Sequence, residues 1–364
     1  MKNTFGSALK VTLFGESHGD SIGVVIDGLT PGIKIDYDFI DRQLERRKSK
    51  TKVCTQRAET DDYKIISGIF EEHTTGTPLC IIIPNRDTRS SDYQLFSSVA
   101  RPGHADYTAN CKYHGYQDYR GGGHFSGRIT VALVVAGAII QSALEKKGIY
   151  VGTHIKRCAG VDDRTFDDYI KDIKFIHSAK FSILDDDAMT KMIESASQIK
   201  ANNDSTGGIM ETAIVGVPAG VGEPWFDSIE SMLSHAMFSI PAIKGVEFGS
   251  GFACADMTGS QMNDEFYVSE NGGILTKSNH NGGINGGISN GMPIVFSCAV
   301  KPTSSISKKQ KTVNFVDKVD TELEIGGRHD STILPRACVV AETLSAIVIA
   351  DLLLGRFGTD YLLK

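Results

Sequence analysis

The chain has no Cys-x-x-Cys pair: its seven cysteines, at 54, 80, 111, 158, 254, 298 and 338, are scattered and odd in number. Neither a disulfide framework nor a zinc ribbon is indicated, and reduced thiols in a cytoplasmic protein fit the pattern. Excess positive charge is missing as well. With a formal charge of -6 and a pI near 5.9, the surface as a whole is not built for nucleic acid or anionic lipid. Any anion site must therefore be local. No charged-then-apolar leader opens the chain, and its strongest apolar run, 131–140, is short for a bilayer crossing, so a soluble protein with neither a membrane nor a nucleic-acid partner is expected. Prolines number only ten. With no proline-rich linker, composition break or repeat of roughly 20–50 residues, one domain over 1–364 is expected.

What is present is enough for a large core. The 364 residues are 41% hydrophobic and 23% charged, which excludes global disorder. Glycines cluster at 121–123, 272–273, 282–287 and 326–327, between periodic segments, and read as tight loops. Short β-branched or apolar runs at 10–14, 22–27, 64–70 and 79–83 predict strands, as do 208–217 and 292–300. Asp36 is a suitable N-cap for a helix with Ile40 and Leu44 on one face and Arg46, Arg47 and Lys48 at its end. Two long buried helices are predicted, 128–147 closed by Gly148 and 335–354 closed by Gly355, with shorter ones at 186–199 and 227–237.

Three histidines stand in short glycine and arginine signatures: Gly15-Glu16-Ser17-His18-Gly19, Arg101-Pro102-Gly103-His104-Ala105-Asp106, and Gly327-Arg328-His329-Asp330. Each places a group that titrates near neutrality beside flexible backbone or a fixed cation, which suits proton transfer at an anionic substrate. His18 follows a strand, and Asp330 precedes a helix where a carboxylate can stay ionised. Between Arg42 and Arg57 lie seven cations (Arg42, Arg46, Arg47, Lys48, Lys50, Lys52, Arg57) against Glu45 alone, a block able to grip phosphate or carboxylate but equally suited to a solvated helix end. Gly121-Gly122-Gly123-His124-Phe125-Ser126-Gly127-Arg128 leads into a long helix and can receive an anion, though a plain glycine turn accounts for it too. Lys301-Pro302-Thr303-Ser304-Ser305 offers a cation and three hydroxyls after a strand. From the residues alone, the chain is an anion-binding enzyme with acid-base groups.

Taken together and in order, the 15–19, 101–106, 121–128, 282–287, 301–305 and 328–330 signatures resemble the chorismate synthase family. The resemblance implies an α+β fold in which helices are sandwiched between antiparallel sheets, and a homotetramer. It implies conversion of 5-enolpyruvylshikimate 3-phosphate to chorismate and phosphate with reduced FMN, without net redox change; NADPH as the reductant is left open. By motif, His18, His104 and Asp330 resemble the catalytic groups: His18 toward the leaving phosphate, His104 near the flavin, Asp330 at the ring proton. His124, Phe125, Ser126, Pro241, Ala242, Gly286, Lys301, Pro302, Thr303, Ser304, Ser305 and Arg328 are implied flavin contacts. Arg47, Lys52, Arg101 and Arg128, with Arg328, are implied to hold substrate anions or NADP. The chain departs from the common pattern at His124-Phe125, where relatives carry Arg-Ser, at Lys52 for arginine, and at Pro241 for asparagine. A flavin-linked oxidoreductase and an RNA-binding module are the rival readings.

Overall fold

Residues 2–48, 60–86, 90–326 and 330–363 are described by the computed structural model, the side chains of 90–92 excepted; Lys52, Arg328 and His329 lie outside the described residues. Period-two hydrophobicity builds the first sheet. Ile22, Val24 and Ile26 of Ser21–Asp27 are fully buried on one face, and opposite them Ile83 and Ile81 of Leu79–Pro84 are buried too. The sheet runs in the order Thr4–Phe5, Lys10–Gly15, Ser21–Asp27, Leu79–Pro84, Lys64–Ser67, every neighbour antiparallel.

The strand expected over 64–70 is broken. Its register slips between Ile65 and Ser67, and Gly68, at φ 84°, passes so close to Leu79 that a Cβ would stand 2.5 Å from the Leu79 Cα. A second five-stranded antiparallel sheet has the order Ile243–Phe248, Ile294–Val300, Gly208–Val215, Tyr150–Cys158, Val161–Asp162.

Between the sheets lie Tyr37–Lys48, Thr130–Lys146, Ile229–Ser239 and Leu334–Phe357. Thr130–Lys146 packs on Ser21–Asp27 and Leu79–Pro84 of the first sheet, and Leu334–Phe357 on Tyr150–Cys158 and Gly208–Val215 of the second. This is the expected sandwich of helices between antiparallel sheets. Asp36 caps its helix through Oδ1, which accepts the Phe39 N–H at 2.9 Å. The last long helix overruns its expected stop. It continues through Gly355 to Phe357 and ends at Gly358 (φ 89°), whose N–H donates to the Leu354 carbonyl. Burial of Ile347, Val348, Ile349, Leu353 and Leu354 outweighs the roughly 1 kcal/mol that one helical glycine costs.

A further correction concerns apolar length. Gly127–Lys146 and Leu334–Phe357, of 20 and 24 residues, are each long and apolar enough to cross a bilayer, yet both are almost wholly buried inside the protein. They meet closely at Gly137, where a Cβ would lie 2.4 Å from the Thr343 carbonyl oxygen. Gly137→Val should overpack this crossing and cost about 1–3 kcal/mol, or more, since backbone has to move. An unchanged urea midpoint would show that the two helices separate freely.

Candidate active site

One cleft of roughly 1550 Å³ gathers residues far apart in the chain: His18, Arg101, His104, His124, Phe125, Ser126, Arg128, Pro241, Ala242, Lys301 to Ser305 and Asp330 all line it. Its first wall comes from the end of Lys10–Gly15. Gly15, at φ 93°, turns the chain, and the Ser17 N–H donates to the Gly123 carbonyl at 3.2 Å, tying the His18 turn to the triple glycine. Ser17 Oγ lies 3.2 Å from His18 Nδ1 and donates to the Arg120 carbonyl, while Tyr93 stands edge-on to the imidazole with centroids 5.0 Å apart.

Gly121 lines the cleft, and the buried Gly122 follows it. Both have left-handed backbone, at φ 59° and 84°; a Cβ on Gly121 would fall 2.2 Å from the His18 ring, and one on Gly122 would fall 3.4 Å from His104 Nε2. The two imidazoles therefore stand over adjacent glycines. A side chain at Gly121 would collide with the His18 ring, and one at Gly122 would press on His104.

His104 is held from behind. Its backbone N–H closes a turn onto the Arg101 carbonyl, and Asp106, the first residue of helix Asp106–Tyr113, lies with Oδ1 3.0 Å from His104 Nδ1. Arg101 Nη2 lies 3.0 Å from the same Nδ1, so Nε2 is the ring nitrogen left toward Gly122. The same carboxylate accepts from the Arg101 backbone N–H, Nε and Nη2 at 2.9, 2.8 and 2.6 Å. Arg101 also lies over the Phe96 ring, 4.4 Å from its centroid.

Burial pushes the Asp106 carboxyl up, but hydrogen bonds from Arg101 and His104 and their charge outweigh it and hold the group well below the usual carboxylate range. A depressed folded value means that Asp106 contributes stability above its ordinary value of 3.8, and that this is lost as pH falls toward the folded value. Asp106→Asn should accordingly be less stable than the parent near neutrality, with the gap closing as pH drops below about 4. Urea midpoints across that range check it; a gap constant with pH would rule Asp106 out as the titrating group.

Lys301, which also lines the cleft, donates through Nζ to the Gly103 carbonyl, and burial together with the charge of Lys244 keeps its amine below the ordinary lysine value. Thr303 Oγ1 donates to the Asp330 carbonyl at 3.0 Å, fastening the 301–305 loop beside the Asp330 carboxylate, which lies 3.7 Å from Arg336. His124 Nδ1 lies 2.8 Å from the Gly15 carbonyl, so its ring braces the His18 turn. Phe125 is half exposed and stands edge-on to Tyr113.

Some expected ligands are placed differently. Arg47 does not line the cleft; its Nη2 donates to the Gly127 carbonyl at 2.9 Å and to Thr130 Oγ1 at 3.1 Å. Arg128 lines the cleft but bonds Asp61, the Asn85 side chain and the Pro84 carbonyl, and Asp61 lies 3.9 Å from Arg47 as well. The buried Asp61 thus stands between both guanidiniums, a partner that no local pattern indicated. Gly286 is a turn glycine at φ 62° between Ile284–Asn285 and Ile288–Ser289, away from the lining residues of the cleft. Tyr93 and Lys244 line it without having been singled out by sequence, and Ser17 and Gly121 do so as parts of their signatures.

A family model described as chorismate synthase matches residues 9–354. A chorismate synthase of Thermococcus kodakarensis is 45% identical over 351 residues, covering 96% of this chain and 97% of the relative. One of Dehalococcoides mccartyi is 46% identical over 356 residues, covering 97% of each. A crystal structure of chorismate synthase superposes with a TM-score of 0.77 at 27% identity, over 98% of this chain and 95% of the other.

Proposed function

The chain belongs to the chorismate synthase family and carries out that family's step of the shikimate pathway, and from this premise we propose how its cleft works. The reaction is a carbon-oxygen lyase step: 5-enolpyruvylshikimate 3-phosphate loses phosphate and a ring proton to give chorismate. Reduced FMN is the resident cofactor. When bound, it supplies electron density to the leaving-phosphate system and recovers it, with no net redox change. The observation that carries the reading is the convergence of His18, His104, Asp330 and the 301–305 loop on one cleft.

The residues fit a phosphorylated, flat cofactor. Lys301 and the Ser304 and Ser305 hydroxyls suit a phosphate monoester, and the cleft they line, of roughly 1550 Å³, has room for a flat ring beside them. Lys301, Pro302, Thr303, Ser304 and Ser305, with Ser126, Pro241 and Ala242, would hold it; His124 and Phe125 would contribute shape more than charge. Arg101 would take a substrate anion, and Arg128 would do so by exchanging Asp61 for it. Arg47, Lys52 and Arg328 belong to the same proposed set, Arg47 supporting from behind Gly127. Gly286 would take part only through rearrangement or another subunit.

The proton steps divide by position. His18 protonates the departing phosphate, its ring steadied by Ser17 and Tyr93. Asp330 accepts the ring proton at the opposite wall. His104 would exchange a proton through Nε2, its Nδ1 placed against Asp106. Positioning and fixed charge supply most of the rate.

We further propose a cytoplasmic homotetramer, with 1–364 as one domain and NADPH as reductant. Trp225, Phe226 and Phe252 are each more than 80% exposed, and a neighbouring subunit would cover them. An anaerobic assay with dithionite-reduced FMN and the shikimate ester, following chorismate absorbance, tests the activity. The flavin should stay reduced over many turnovers; one flavin oxidised per product would make the protein a redox enzyme instead.

A further inference from the structure

We infer that Lys244 is a second phosphate ligand, which with Lys301 clamps the phosphate monoester of the flavin and makes the site select FMN over the unphosphorylated flavin. The inference rests on the flavin reading above and concerns which of this chain's own residues meet the phosphate.

The backbone is bent to bring Lys244 there. In the pairing of Ile243–Phe248 with Ile294–Val300, Ile243 opposes Val300 and Gly245 opposes Ala299, so Lys244 is an extra residue with no partner of its own. Such a bulge breaks the alternation of faces and re-aims a side chain, and bulges concentrate beside active sites. Just before it, Ala242 takes φ 81°, a left-handed conformation that a residue with a Cβ disfavours. The Ala242 carbonyl accepts the Lys301 N–H at 2.9 Å, which fixes the two lysine-bearing segments to one another.

Both lysines line the cleft, and both lack a carboxylate partner among the described residues. Lys301 Nζ donates to the neutral Gly103 carbonyl, which leaves its charge uncompensated. Two ammonium groups facing one cavity repel each other, and here desolvation and Lys244 together already hold the Lys301 amine below its ordinary value. The arrangement makes electrostatic sense with a dianion between them, and the Ser304 and Ser305 hydroxyls lie on the same wall. A phosphate monoester is that dianion. Two sources share this chemistry, the cofactor and the substrate ester, and position beside the 301–305 loop favours the cofactor.

Fluorescence titrations of the full chain with oxidised FMN and with riboflavin separate the outcomes. Lys244→Met should weaken FMN on the order of 10- to 100-fold, as loss of a hydrogen bond to a charged group predicts, and leave riboflavin unchanged. Lys244→Arg should restore FMN to within a few-fold, and added salt should narrow the FMN difference between the parent and Lys244→Met. Riboflavin affinity serves as the control for folding. FMN binding unmoved in Lys244→Met, or an equal loss for both flavins, would overturn the inference. Unchanged FMN affinity with weaker binding of the shikimate ester would overturn it too, by assigning the cation to the substrate. A parent protein that binds neither flavin would instead overturn the cofactor reading itself.

Discussion

Replacing His104 by alanine should lower turnover of the shikimate ester by roughly 10²- to 10⁴-fold, the range expected when a positioned proton donor is removed. Folding should survive the change. Asp106 keeps its three bonds from Arg101 when the imidazole is gone, so the 101–106 turn retains its brace and no charge is stranded. The loss should fall on kcat with little change in KM, because the ring nitrogen over Gly122 acts on charge that develops during reaction. His18→Ala should show a loss in the same range, with Ser17 and Tyr93 left in place. Near-normal turnover in either variant, with an intact urea transition, would remove that histidine from the mechanism.

The largest effect on stability is expected at Glu342, in the middle of the helix layer and fully buried. Its carboxylate accepts from Arg46 Nη1 and Nη2 at 2.7 and 3.1 Å, from Gln43 and Gln141 at 3.0 and 3.2 Å, and from the Thr153 N–H at 3.2 Å; His177 Nε2 lies 3.1 Å away. Burial drives the carboxyl up, yet the charges of Arg46 and His177 and their hydrogen bonds prevail and hold it well below the usual range. Glu342→Ala would leave Arg46 charged in the interior with its partner gone, at a cost of about 3–5 kcal/mol. That is a large share of the roughly 5–15 kcal/mol by which domains are stable. The double variant Glu342→Leu with Arg46→Met should recover most of the loss, since no charge is then buried alone. A double variant no better than Glu342→Ala in its urea midpoint would show that the network is needed for more than charge balance.

Much of the site was legible because its parts are local. The triple glycine announces left-handed backbone, Asp36 announces a helix start, and the His18 and His104 signatures mark turns at strand and helix ends. The 301–305 loop likewise follows directly from the end of its strand. Partners were not legible. His154, unremarkable by its neighbours in sequence, is wholly buried, with Asp163 2.8 Å from Nδ1 and Glu211 3.2 Å from Nε2. Burial would lower its pKa, and the two carboxylates raise it above the ordinary value instead. Its strand, Tyr150–Cys158, escaped detection because His154, Lys156 and Arg157 interrupt the apolar run. Ile243–Phe248 escaped because a bulge breaks its alternation at Lys244.

By itself, then, the order of residues determined the long helices, several strands and the turn-borne signatures that carry the family resemblance, since backbone preference and hydrophobic period act over a few neighbours. Only the tertiary structure decided that Asp61 stands between Arg47 and Arg128, that Arg46 faces Glu342 rather than the cleft, and that Lys244 joins Lys301. The physical reason is that a buried charge is tolerated according to what opposes it in space. For these groups the opposing residue lies on another element, out of reach of any pattern read along the chain.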